Sequence, residues 1–248
     1  MSRHCFVLVH GAWHGAWAWQ RVAKRLRDYG QQVLAVDLPG YGTNKEDHRP
    51  VTLDRYIEHV IEVISQQKRP VILIGHDLGG MVISGVAERV PQRVHHLIYV
   101  AAYLLPSGDS VLSRMQVDRN QNAMSSLRYT DDQREVTLQR EHARRYLYNR
   151  CDEQDVETAL RTLTPQATFP LMSPLKLSDQ HFGSIPRSYV RCLQDHMISA
   201  ATQAELVEAM PCRRVIDLDA DHSPFLSASD GLARALLDVA AQEVHQAA

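Results

Sequence analysis

Short β-branched runs alternate along this chain with stretches in which apolar side chains recur every three or four residues. That alternation predicts a mostly parallel sheet with helices on both faces, an α/β fold class. Cys5-Phe6-Val7-Leu8-Val9-His10 reads as a strand. Trp17 to Tyr29 has helical spacing in Trp19, Val22, Ala23 and Leu26, and Gly30 suits its C-terminal cap. Gln32 to Asp37 is the next strand, followed by the turn-rich Leu38-Pro39-Gly40-Tyr41-Gly42. Thr52 suits the N-cap of a helix whose Leu53, Tyr56, Ile57, Val60, Ile61 and Ile64 form one apolar stripe, with Pro70 beyond its end. Val71 to Ile74, Gly79 to Arg89 and Leu97 to Ala101 continue the alternation as strand, helix and strand.

From Pro106 to about Ser184 the alternation stops. Met115, Met124, Leu127, Tyr129, Tyr146, Leu147, Tyr148, Leu160, Phe169, Leu171 and Met172 are mixed there with Arg-rich helical stretches and prolines. The segment from about 106 to 184 is therefore expected to be a mainly helical cap with one apolar underside, inserted into a single domain spanning 1–248. The α/β pattern resumes at Ser188 to Cys192, followed by a helix near Thr202 to Ala209, a strand at Arg213 to Leu218 and a last helix from Asp230 to Val244.

Composition narrows the function classes. With 248 residues, 44% of them hydrophobic, the chain can bury a full core. A formal net charge of -2, with Lys and Arg scattered, gives no footprint for nucleic acid. Cys5, Cys151, Cys192 and Cys212 form no C-x-x-C pair, so metal and redox chemistry have no support, and Cys5 and Cys192 read as buried thiols in strands. The first residues run straight into a strand with no signal-peptide pattern or long apolar span, so the expectation is a cytoplasmic protein without membrane attachment. The expected partner is a small-molecule substrate, with no cofactor; a homodimer is left open.

The chemistry concentrates in Gly75-His76-Asp77-Leu78-Gly79-Gly80, a strand-to-helix turn of the nucleophile-elbow type that carries Asp where a serine is expected. In this architecture the catalytic histidine follows the last strand. His222, in Asp221-His222-Ser223-Pro224-Phe225-Leu226, fits that order. The carboxylate that orients it is expected after the preceding strand, which selects Asp195 over Asp219 and Asp221, because adjacent side chains rarely face each other. In His10-Gly11-Ala12-Trp13, after the first strand, the Ala12 N–H can join the Leu78 N–H as an oxyanion hole. His10 is expected to shape this loop, while His76, His95, His96 and His196 are expected at structural or exposed positions. Trp17 and Trp19 are expected to pack on the sheet and Trp13 to reach the pocket.

These motifs together resemble the α/β-hydrolase superfamily, and more narrowly the plant methylesterase and hydroxynitrile lyase group with its bacterial relatives. The residues that carry the resemblance are His10 to Trp17, Asp37 to Gly42, the elbow, Tyr189 to Asp195 and Asp221 to Ser227. The resemblance implies a Ser, Asp and His triad, of which Asp195 and His222 have counterparts here and the serine does not. Hydroxynitrile lyases of the group carry a Thr in the first motif and a Lys after the late His, where this chain has Gly11 and Ser223.

An Asp that attacked an acyl carbon would form a high-energy anhydride. Carboxylates instead suit displacement at saturated carbon, giving an alkyl ester that His-activated water opens. Epoxide hydrolases and haloalkane dehalogenases of the superfamily follow that scheme. Dehalogenases place a Trp after the nucleophile, where this chain has Leu78. Epoxide opening needs an acid for the leaving oxygen, and Tyr103, Tyr129 and Tyr146 are candidates for it and for substrate binding, with Tyr148 nearby. The leading expectation is thus an epoxide-hydrolase-like enzyme acting on a small apolar substrate. The alternatives are a general acid/base pair of Asp77 and His222 for a lyase or cyclase step, an esterase whose serine has been replaced, and a non-catalytic small-ligand binder.

Overall fold

The computed structural model describes residues 4–44, 51–117 and 125–246, so Met124 and the leading residues 1–3 lie outside the description. Strands β1 (Cys5–Val9), β2 (Gln32–Val36), β3 (Val71–Asp77), β4 (Val94–Ala102), β8 (Arg187–Cys192) and β9 (Arg214–Leu218) form one parallel sheet in the order β2-β1-β3-β4-β8-β9. The chain leaves β1 toward β2 and returns to place β3 on its other side. The carboxyl ends of β1 and β3 are consequently the switch point where α/β sheets open a crevice.

Each face of the sheet is closed by the helices whose apolar stripes the sequence displays. Helices α2 (Leu53–Ser65) and α3 (Gly79–Arg89) cover one face, where Ile57, Val60, Val82 and Val86 meet Val7, Leu73 and Leu97. On the opposite face, α1 (Gln20–Asp28) and the C-terminal helix pack Leu26, Trp19, Leu232 and Leu236 against Phe6, Leu8, Ile74 and Val190. Thr52 caps α2 as its sequence suggests, its Oγ1 accepting the Arg55 N–H at 3.2 Å. The helix expected over Trp17–Tyr29 divides into a 3-10 turn at Ala16–Trp19 and α1 proper, and Gly30 ends it at φ 78°. Trp19 is fully buried against the sheet, whereas Trp17 is half-buried beside His14.

The segment between β4 and β8 holds helices α4 (Val111–Val117), α5 (Arg140–Leu147), α6 (Glu153–Thr162) and α7 (Thr168–Met172). It also holds a three-stranded antiparallel sheet of β5 (Leu127–Tyr129), β6 (Glu135–Leu138) and β7 (Gln166–Ala167), which the sequence pattern did not suggest because its strands are two to four residues long. Leu127, Tyr146, Leu147, Tyr148 and Leu171 are buried on the cap's underside. Phe169 and Met172 face outward instead, at 53% and 54% exposure. No helix among the described residues is long and apolar enough to cross a membrane.

Helix α3 starts so close to β1 that a Cβ at Gly79 would stand 2.7 Å from the Val9 carbonyl oxygen and 2.8 Å from that of His10. Both neighbours are backbone and cannot swing away. Gly79→Ala is therefore expected to lower stability by about 1–3 kcal/mol, the usual range for overpacking, as a shift in the urea midpoint at unchanged slope.

Candidate active site

Strand β3 ends in a forced turn. Asp77 lies in the left-handed region at φ 49°, and Trp13 and Ala101 at φ 63° and 42° accompany it on the neighbouring loop and strand. Non-glycine residues settle there only when their surroundings hold them, and such strain gathers at functional sites. What holds Asp77 is its carbonyl, which accepts the Tyr103 N–H at 3.1 Å, and the glycine turn around it. Gly11 lets the first loop approach; a Cβ on it would stand 2.5 Å from Asp77 Cβ.

The Asp77 side chain is 3% exposed, and its Oδ2 accepts the Ala12 N–H at 2.8 Å. The Leu78 N–H also stabilises the carboxylate. These are the two donors expected to hold a substrate oxyanion, and here they are turned on the protein's own carboxylate. The reason is length: Asp has a carboxyl carbon where serine has its hydroxyl oxygen, so one carboxylate oxygen extends into the donor pocket. Burial raises the Asp77 carboxyl above the ordinary range, opposed by the charge of His222 and by the two N–H groups.

His222 is buried in the loop that follows β9, and its Nδ1–H donates to Asp195 Oδ2 at 2.9 Å. Asp195 is fixed from its other side, since Oδ1 accepts the N–H groups of Met197 at 2.7 Å and Ile198 at 2.9 Å. Gln203, on the helix Ala200–Ala209 (α8), donates to Oδ2 at 3.2 Å. His222 Nε2 is left without a hydrogen-bond partner among the described residues, which leaves a basic lone pair for a reactant. Burial alone would lower the His222 pKa; the carboxylates of Asp195, Asp77 and Asp221 outweigh it and raise the imidazole above its ordinary value.

Asp221 has a different task from Asp195. Its Oδ1 accepts from Ser223 N–H and Ser227 Oγ at 3.0 and 2.7 Å, and its Oδ2 accepts from the cap's Arg150 N–H at 2.8 Å. It ties the histidine loop to the cap. Asp219 is exposed and pairs with Arg150 at 3.3 Å.

Three further imidazoles lie around the site, and their partners fix their tautomers. His10 donates from Nδ1 to Gly11 O at 2.8 Å and accepts the Leu38 N–H at Nε2, so it shapes the first loop as expected. His14 donates to Ala12 O at 2.8 Å and accepts from the Tyr148 hydroxyl at 2.9 Å. His76 donates from Nε2 to His222 O at 2.7 Å. Burial holds all three neutral, lowering His10 to about 4, His14 to about 3 and His76 well below the ordinary value.

The sequence candidates for substrate binding divide. Trp13 is 4% exposed and reaches the cap, its Nε1–H donating to Val136 O at 2.9 Å while its own carbonyl accepts the Thr164 N–H at 2.9 Å. Tyr103 lies beside Asp77 through its backbone. Tyr129 stands 48% exposed on the last residue of β5. Tyr146 is buried within the cap beside His142 and under the Arg145 guanidinium, and no contact described joins it to Asp77. The residue that sequence reasoning passed over is Tyr41, 2% exposed, with its ring 4.7 Å from that of His10. Its hydroxyl donates to Gln166 Oε1 at 2.5 Å. The available signal was its place in the loop after β2, at the same sheet edge as Asp77; Gln166, in a two-residue strand, carried none.

A model of the alpha/beta hydrolase family matches residues 6–235. Methylesterase 7 of Arabidopsis thaliana is 30% identical, the match covering 95% of this chain and 95% of that protein. A chloroplastic relative of the same plant bearing a methylesterase name is 31% identical over 95% of this chain. The chain spans 63% of that relative's length, and 56% and 55% of two other chloroplastic ones. The solved structure of polyneuridine aldehyde esterase matches with a TM-score of 0.86 at 25% identity, covering 96% of this chain and 100% of that one.

The neutral buried imidazoles set a pH response. A group whose folded pKa lies below its unfolded value contributes fully above the unfolded value, and its contribution is lost as pH falls toward the folded one. For His14 that window runs from pH 6.5 down to about 3. The melting temperature of His14→Gln is expected to fall less steeply with acidification below pH 6.5 than that of the parent, as differential scanning calorimetry across the range would record.

Proposed function

Because the chain belongs to the alpha/beta hydrolase family and has methylesterase homologues, we propose that it is a hydrolase in which Asp77 attacks a saturated carbon of a small apolar substrate, a strained cyclic ether of the epoxide type. Attack by the free carboxylate oxygen forms an alkyl ester on Asp77 as the ring carbon–oxygen bond breaks; the electron pair goes to the ring oxygen, which takes a proton from solvent, and the proton that hydrolysis later leaves on the Asp77 carboxyl returns to solvent. His222 Nε2 then takes a proton from water, hydroxide adds to the Asp77 carboxyl carbon, and the ester collapses to release the diol. The proton on His222 passes to the departing oxygen, while Asp195 keeps the imidazole oriented and stabilises its cationic form.

The observation that carries this reading is the 2.8 Å bond from Ala12 N–H to Asp77 Oδ2. A donor engaged with the enzyme's own carboxylate is not available to a substrate carbonyl, so acyl transfer lacks its main electrostatic support. In the displacement the same donor holds one carboxylate oxygen and leaves the other to attack. When hydroxide adds to the ester, that oxygen becomes the oxyanion and is already in place.

A second reading is favoured by the methylesterase relatives: the pocket is an ester pocket, and Asp77 stands where acyl chemistry would need serine. The two separate in one series. Incubating His222→Ala with styrene oxide is expected to add the mass of the epoxide to the peptide containing Asp77. Turnover of the parent enzyme in heavy-oxygen water is expected to label the Asp77 carboxylate. Turnover without label or adduct would point to proton transfer by Asp77 and His222 instead. Asp77→Ser is expected to gain hydrolysis of p-nitrophenyl acetate by about 100-fold or more, the scale of an oxyanion donor restored to its substrate.

A further inference from the structure

Trp13 holds a backbone that a bulky residue rarely adopts, at φ 63°. That angle is set by the way the Ala12–Trp13 peptide faces, and turning the peptide over would return Trp13 to negative φ. Strain of this kind persists only where neighbours hold it. The neighbour here is His14, whose Nδ1–H donates to Ala12 O at 2.8 Å. The carbonyls on either side are held in the same manner, Gly11 O by His10 at 2.8 Å and Trp13 O by the Thr164 N–H at 2.9 Å. Ala12 is thereby fixed at both ends, its N–H on Asp77 Oδ2 at 2.8 Å and its carbonyl on His14.

His14 is in turn set by the cap. A carbonyl can only accept, so the imidazole proton is on Nδ1, and Nε2 is left to accept from the Tyr148 hydroxyl at 2.9 Å. Tyr148 directly follows α5, and both side chains are buried. The His14 ring also packs edge-on against Phe225 of the histidine loop at 5.3 Å and His76 of the elbow at 5.7 Å, which leaves it little room to turn. An unbroken hydrogen-bonded path therefore runs from the cap hydroxyl through the imidazole to Ala12, and from Ala12 to Asp77. No contact described joins Tyr148 to Ala12 or to Asp77 by another route.

We propose that His14 is a positioning residue that carries the placement of the cap into the backbone of the first loop. The Tyr148 hydroxyl sets the imidazole, the imidazole holds the Ala12–Trp13 peptide in its strained orientation, and the Ala12 N–H is thereby kept on the oxygen it serves. The role does not rest on which chemistry Asp77 performs. The same N–H meets Asp77 Oδ2 in the displacement reading and would meet a substrate oxyanion in an ester pocket. When the cap draws Tyr148 away, the imidazole loses its support and the Ala12 carbonyl its fixed donor, so the donor pocket is complete only under a seated cap.

NMR of the isotope-labelled full chain tests this without substrate. The positive φ of Trp13 gives a strong NOE between its own amide and α protons, and the Ala12 N–H lowers the pH at which the Asp77 carboxyl titrates. In His14→Leu, Trp13 is expected to lose that NOE and Asp77 to titrate at higher pH than in the parent. His14 is neutral, so its replacement removes no charge, and the charges of His222 and Asp195 that also act on Asp77 are the same in every variant. His14→Asn, whose side-chain amide reaches the Nδ1 position, is expected to keep both readouts close to the parent. Tyr148→Phe is expected to move the Asp77 titration upward with His14 in place and not to move it in the His14→Leu background, since two residues on one path are not additive. The assignment is overturned if His14→Leu leaves the NOE and the titration unchanged, if His14→Asn behaves as His14→Leu does, or if Tyr148→Phe acts equally with and without His14. Should His14→Leu fold poorly, Tyr148→Phe alone decides, an upward shift supporting the path and an unshifted titration refuting it. None of these readouts involves an adduct on Asp77, so failure of the displacement reading would leave them standing.

Discussion

A carboxylate shut away from water is costly unless donors replace its hydration, and Asp77 finds its donors in the backbone of the two loops that meet above β1 and β3. The Ala12 N–H at 2.8 Å from Oδ2 and the Leu78 N–H stabilise a group that is 3% exposed. Much of the surrounding architecture serves that meeting. Gly11 and Gly79 remove the Cβ atoms that would keep the loop and the helix apart, His10 bonds the loop to itself and to Leu38, and Tyr103 holds the Asp77 carbonyl.

The cap is fastened to the core at these same loops. Trp13 donates to Val136 and accepts from Thr164, Tyr148 reaches His14, Arg150 bonds to Asp221 beside His222, and Gln166 meets Tyr41. Each tie joins a cap residue to a loop that carries part of the site. A cap attached in this way shares its packing with the loops that hold Asp77 and His222, so changes in cap packing are felt at those side chains. Surface pairs such as Arg21 with Asp155 add little energy by comparison but brace the cap against α1.

Much of this was legible in the chain. Alternating periods of two and of three to four residues placed every strand of the large sheet, because a buried parallel strand and an amphipathic helix write different patterns. Asp77, Asp195 and His222 were readable because each follows a strand at the carboxyl edge, and the structure brings Asp195 and His222 to 2.9 Å. The small cap sheet was not readable, since strands of two to four residues carry no periodic signal. The side chains converging on Asp77 from a distance in sequence were equally hidden. Tyr41 and Gln166 are 125 positions apart and meet only through the folded cap. Nor does a sequence reveal that a carboxylate will extend into its own oxyanion hole, which is a matter of one atom's reach.

The raised pKa of His222 ties its basicity to the charge on its neighbours. Part of that rise comes from the negative charge on Asp77. A nearby negative carboxylate favours the protonated form of the imidazole. Any event that neutralised Asp77 would therefore let the histidine release its proton more readily. The two residues are thereby coupled in their titration: a change of charge on one is felt as a change of basicity on the other.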